Sequence, residues 1–150
     1  MSILPQPFSR RARERARRTA LQALYEVCMS QKSVAEILNR YADDPALKRA
    51  DKEYFRRLVE GICENRQELD EQIAPLLDRL LRELDPVETA ILHIGVFELM
   101  YEPNMPSRAV INEAVEIAKM FGAAESHKYI NSILDKAARH IRKAEFGDTS

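Results

Sequence analysis

Apolar residues recur at three- and four-residue intervals along nearly the whole chain, and no stretch alternates with a period of two. That spacing predicts helices and no strands, an all-α fold. The first helix spans 10–30, without Gly or Pro, and sets Leu21, Leu24 and Cys28 on one face. Ser33 is placed to cap a short second helix carrying Val34, Ile37, Leu38 and Tyr41, which Asp43, Asp44 and Pro45 close. A long acid-capped helix follows from about Asp51, through Phe55, Leu58, Val59 and Ile62 to Leu69 and Ile73, until Pro75 kinks or ends it. Leu76, Leu77, Leu80, Leu81 and Leu84 supply one more apolar segment. The final two helices start at Ser107 and near Ala124; the first ends at Gly122 and the second carries Ile130, Ile133, Leu134, Ala137, Ala138 and Ile141. Residues 1–9 and those from about Lys143 lack a pattern and are expected to be flexible ends.

Residues 86–101, PVETAILHIGVFELMY, are apolar on too many sides for one buried face, so they form a central helix covered almost all round. Asp85, Pro86 and Glu88 have the pattern of N-cap, first helical position and third-position acid of a capping box. One narrow break in the apolar surface remains, at Glu88, Gly95, Glu98 and Glu102. It is either the solvated edge of a buried helix or a strip on which a basic partner lies, approaching closely over Gly95.

Charge divides the chain. Residues 1–25 carry six arginines against one glutamate, net +5, so a total of −1 leaves −6 for the remainder. Arg10, Arg13 and Arg17 continue the apolar face of the first helix backward, while Arg11, Arg15 and Arg18 occupy its other side. Arginines ringing a helix start oppose the macrodipole and do not pack against an apolar core, so this end is expected to protrude or cross a rim. With Tyr25 two turns further on, it has the phosphate-tracking and base-stacking equipment of an RNA-binding segment. Acidic proteins and anionic lipid can also meet such a helix.

The chain is long enough for one domain or two small subdomains sharing a core. It has no apolar run of membrane-span length and no secretory leader, which places it in the cytoplasm. Cys28 and Cys63 read as two reduced core thiols. Four scattered glycines make no phosphate loop, and His93, His127 and His140 have no metal-ligand spacing. Without a nucleophile motif or cofactor segment, the chain reads as a binding module and not an enzyme. A second polar cluster, 119–128, sets Lys119, Phe121, Glu125, Ser126, His127 and Lys128 around a helix–helix turn whose amides can receive a phosphate.

The runs VINEAVEIAKMFGAAESHKYINSILDKA (110–137), LDPVETAILHIGVFELMY (84–101) and RARRTALQALY (15–25) closely resemble the NusB family of transcription antitermination factors, in that family's order. The resemblance implies two packed three-helix subdomains sharing the central helix, at about 10–84 and 85–142, and no enzyme activity. It implies an adaptor that binds boxA single-stranded RNA with NusE, a small-subunit ribosomal protein, and helps RNA polymerase read through terminators in ribosomal RNA operons. Carried over, Arg11, Arg13, Arg15, Arg17, Arg18 and Tyr25 form one RNA surface; Phe121, Glu125, Ser126, His127, Lys128 and Tyr129 form the second. Glu88 and Glu98 contact NusE. Ala124-Glu125 stands where relatives often carry Glu-Asp, and Ser107 where they often carry an aromatic. The alternatives are the NusB-like domain of a ribosomal RNA cytosine methyltransferase, against which the absence of a cofactor segment argues, and a homodimer that masks its RNA surface.

Overall fold

The computed structural model describes residues 7–147, a helical chain without strands over that span. Among the described residues there are seven α-helices: α1 (Pro7–Met29), α2 (Val34–Tyr41), α3 (Lys52–Glu64), α4 (Arg66–Ile73), α5 (Pro86–Tyr101), α6 (Ser107–Phe121) and α7 (Ser126–Ile141). Short 3-10 turns lie at Pro45–Leu47, Ala74–Leu76, Leu81–Glu83 and Lys143–Phe146. α1 begins at Pro7, inside the lead-in expected over 1–9, because proline suits a first helical turn. Residues 1–6 and 148–150, also expected to be flexible, lie outside the described residues.

The chain divides into two compact units, Met1–Cys63 and Glu64–Ser150. The division falls twenty residues before the expected one near residue 84, because α4 packs with α5: His93 Nε2 lies 2.6 Å from Asp70 Oδ1, and the Tyr101 hydroxyl donates to Asn65 and Glu68. The long helix expected from Asp51 to Ile73 breaks at Asn65, whose backbone (φ −109°, ψ 20°) leaves the helical region. The leucine-rich segment before α5 is two 3-10 turns and a loop, burying Leu84 and exposing Leu80.

In the first unit α1 buries Ala16, Ala20 and Ala23, small residues that let a helix be approached closely, together with Leu21 and Leu24. Ser33 and Glu36 close a reciprocal capping box on α2, each backbone amide 3.1 Å from the other's side chain. Asp51 caps α3 by accepting from Tyr54 N at 3.0 Å, and the rings of Tyr41 and Phe55 meet at 5.4 Å.

In the second unit α5 is buried at every position from Ala90 to Leu99. Gly95 is part of that burial: a Cβ there would lie 2.7 Å from Leu134 Cδ1 of α7, so the glycine makes room for the leucine. The carbonyls at the end of α5 run short of backbone donors: Glu98 O and Glu102 O accept from Glu102 N and Met105 N, both at 3.0 Å, and Arg142, just past α7, adds side-chain donors to them and their neighbours. Its guanidinium donates to Leu99 O (3.0 Å), Glu98 O (3.2 Å), Glu102 O (2.8 Å) and Met105 O, and pairs with Glu145 (3.2 Å). Glu145 in turn accepts from Ser107 N at 3.0 Å, which holds its carboxyl below the usual range. Residues 143–147, expected to fray, are therefore tied to the start of α6.

Burial pushes the His93 imidazole below its ordinary pKa, outweighing the opposite pull of Asp70. A histidine depressed in the folded state contributes stability that is complete above its unfolded pKa, about 6.5, and is lost as pH falls through the folded value. Urea midpoints should therefore fall from pH 7.5 toward pH 5, and His93→Gln should flatten the part of that slope that this histidine supplies. An unchanged slope in the variant would remove His93 as its cause.

Candidate nucleic-acid interface

The helical register of α1 sorts its arginines into two sets. Arg13 and Arg17 turn toward α3: the Arg13 guanidinium lies 4.4 Å and that of Arg17 5.4 Å from the centre of the Tyr54 ring, and Arg13 Nε is 3.6 Å from Asp51 Oδ2. Asp51 N also donates to Ala12 O at 3.0 Å, docking the start of α3 on the second turn of α1. Arg17 is only 4% exposed, so the expectation that the whole arginine ring protrudes is corrected. An aromatic face attracts a guanidinium while its methylene stem packs, which is how arginine enters this interior.

Arg11, Arg15 and Arg18 form the other set. They lie at spacings of four and three residues, the register continues through Gln22 to Tyr25, and so all five share one face. Among the described residues no carboxylate pairs with these three guanidiniums. Tyr25, 39% exposed, ends the stripe beside a cleft of about 460 Å³ lined also by Met29, Lys32 and Arg40. Cys28 is exposed here and not in the core, since the α1 face that buries Leu21 and Leu24 no longer has cover at that last turn; Cys63 is half-buried.

The turn between α6 and α7, in the second unit, is tightly built. A side chain at Gly122 would meet Ala118 O at 2.8 Å and Ser126 Cβ at 2.9 Å, so only glycine allows α7 to start so close to the end of α6. Phe121 (39% exposed), Lys119, Glu125 and Lys128 face outward, with His127 and Tyr129 half-buried. Both lysines pair with carboxylates of their own segment, Lys119 with Glu116 at 3.5 Å and Lys128 with Glu125 at 2.9 Å. Such exposed pairs contribute little and exchange readily.

Ser126 departs from its expected role. It is 4% exposed and its hydroxyl donates to Glu88 Oε2 at 2.8 Å, so it supports the turn from beneath. Two of the amides expected to receive a phosphate are also engaged, Ser126 N with Ala123 O (3.0 Å) and Lys128 N with Glu125 O (3.2 Å). Glu88 therefore does not complete a capping box: Asp85 alone caps α5, accepting from Val87 N at 2.7 Å.

The acidic strip on α5 is corrected as well. Glu98 is 1% exposed and Gly95 is filled by Leu134, so neither offers a surface for a partner. Only Glu88 and Glu102, both partly exposed at the two ends of the helix, keep contact with solvent.

The sequence reading missed Asp78 and Arg79, in the loop between two 3-10 turns. Asp78 Oδ1 accepts from the Tyr129 hydroxyl at 3.1 Å and from Arg79 Nε at 3.0 Å, and the Arg79 guanidinium lies 4.8 Å from the Tyr129 ring centre. These donors hold the Asp78 carboxyl below its ordinary range, Arg79 contributing most. Burial and the Asp78 bond push the Tyr129 phenol up. Nothing in the spacing of residues 78 and 129 signals this contact, which the tertiary fold creates. Among the described residues no cluster of three or more His, Cys, Asp or Glu could hold a metal ion, and no helix is long and apolar enough to cross a membrane.

A profile described as the NusB family matches residues 14–139 of the chain. The transcription antitermination protein NusB of Methylobacillus flagellatus is 46% identical over 142 residues, 95% of this chain and 92% of that protein. The Pasteurella multocida protein of the same name is 50% identical over 126 residues, 84% of this chain and 88% of its own length. Among solved structures, T. maritima NusB superposes with a TM-score of 0.80 at 32% identity, covering 96% of this chain and 99% of that one. A chain from a crystal structure of the antitermination factors NusB and NusE in complex with dsRNA superposes with a TM-score of 0.78 at 25% identity, covering 87% of this chain and 98% of that one.

Proposed function

Since the chain belongs to the NusB family and is a transcription antitermination factor, not an enzyme, we propose that it acts by holding a boxA-type RNA strand beside a NusE partner. The unpaired stripe Arg11, Arg15, Arg18, ending at Tyr25, carries this reading. Three cations about one helical turn apart follow a phosphate backbone, and an exposed ring at the end of the row receives a base. The turn around Phe121 and Lys128, with Tyr129 beside it, provides the second contact. The basic partner meets α5 at its accessible acids, Glu88 and Glu102. In this role the complex works in the cytoplasm with RNA polymerase, on the transcripts of ribosomal RNA operons.

The test is a titration of fluorescent single-stranded boxA RNA at several salt concentrations, with and without NusE, and with a duplex of the same sequence as control. The single strand should bind with affinity falling steeply in salt, about 0.7 in log slope per phosphate neutralised, and NusE should tighten it. Equal affinity for an unrelated strand, with no effect of NusE, would overturn the reading. Glu88→Lys should weaken NusE capture while leaving the helical signal intact; unaltered capture would take Glu88 out of the partner surface. A homodimer that masks the arginine stripe would appear in gel filtration as a dimer that RNA dissociates.

A further inference from the structure

The loop carrying Asp78 and Arg79 has no part in the surface argued so far, yet it reaches the α7 residue Tyr129. We propose that Arg79 is an additional phosphate contact of the RNA site at the α6–α7 turn, and that Tyr129 serves there as its support. This inference rests on the RNA-binding reading above.

The geometry assigns the roles. Arg79 lies in a bend between two 3-10 turns, its side chain about half exposed, so nothing in the interior requires its charge. It is nonetheless held from two directions, by Asp78 through Nε (3.0 Å) and by the Tyr129 ring beneath it (4.8 Å). The same carboxylate oxygen fixes the ring through its hydroxyl (3.1 Å), so one acid orients both partners. Nε carries the Asp78 bond, and the terminal nitrogens of the fork are the part of the guanidinium that grips a phosphate.

A positioned arginine is what the turn otherwise lacks. Lys119 and Lys128 are on flexible stems, paired within their own segment. An arginine whose rotamer is already set loses less freedom on binding than either lysine. Tyr129 lies three and four residues beyond Ser126 and Glu125, so Arg79 stands over the same α7 face as the turn. Its presence over the ring also changes what Tyr129 can do: the face turned to Arg79 is occupied by a cation and is not open to a base.

Arg79→Gln, Tyr129→Leu and the double variant are titrated with the single-stranded boxA RNA over a series of salt concentrations, beside the triple variant Arg11→Ala, Arg15→Ala, Arg18→Ala. Arg79→Gln should weaken binding roughly three- to tenfold and lower the log–log salt slope by about 0.7, a change that a merely structural side chain would not produce. Arg79→Lys should keep the slope and lose only part of the affinity. Tyr129→Leu should weaken binding in the parent and have little further effect in the Arg79→Gln background, since it acts through the arginine. Unchanged slope and affinity in Arg79→Gln, with the triple variant impaired, would overturn this proposal and leave the RNA reading standing. Additive effects of the two substitutions would overturn the supporting role of Tyr129. If the triple variant too binds as the parent does, the RNA reading itself falls, and this inference with it.

Discussion

Arg142→Met is expected to destabilise the protein by about 3–5 kcal/mol, among the largest losses available from one side chain, since it removes the donor to the carbonyls of Leu99 and Met105 and the second donor to those of Glu98 and Glu102, which keep their bonds from Glu102 N and Met105 N. The side chain is almost wholly covered and serves the carbonyls of Glu98, Leu99, Glu102 and Met105. Methionine fills much of the volume and satisfies none of them. Arg142→Lys should recover only part of the loss, because an ammonium has three donors and no planar fork. Glu145→Gln, which weakens the outer pair alone, should lose about 1 kcal/mol or less. Urea denaturation followed by circular dichroism reads all three. A methionine variant within about 1 kcal/mol of the parent would show that water replaces the guanidinium at the end of α5.

The triple substitution of Arg11, Arg15 and Arg18 by alanine should lower RNA affinity about 10- to 100-fold at moderate salt and reduce the salt slope by about 2, with the melting temperature nearly unchanged. Arg17→Ala should do the reverse. That guanidinium is buried over Tyr54, so its loss should lower stability by about 1–3 kcal/mol and leave the salt slope of the folded protein close to that of the parent. Arg13, which turns inward with Arg17, is nonetheless half exposed beside Asp51. Equal slopes in the triple variant and the parent would take α1 out of the RNA path.

These contrasting expectations mark how far the chain could be read before its fold was known. Helical periodicity is a property of local spacing, so the all-helical class, the caps at Ser33 and Asp51 and the burial of α5 were legible. The break at Asn65 was not, because Ile62, Leu69 and Ile73 keep the helical phase across it while the backbone does not. The arginine cluster was legible as charge, but not its division. Which guanidiniums turn inward depends on Tyr54, 37 residues after Arg17. The acidic break in α5 misled for a related reason: a helical wheel counts Glu98 as polar, whereas the fold buries it and sets Leu134 over Gly95. Asp78 and Arg79 gave no signal at all, since their partner lies 51 residues on from the acid.

The outward-facing sulfur of Cys28 has a practical use. It follows Tyr25 by three residues on α1, about one turn away, whereas Cys63 is partly covered. A maleimide dye should therefore label Cys28 faster, putting an optical reporter at the end of the arginine row without a single engineered residue.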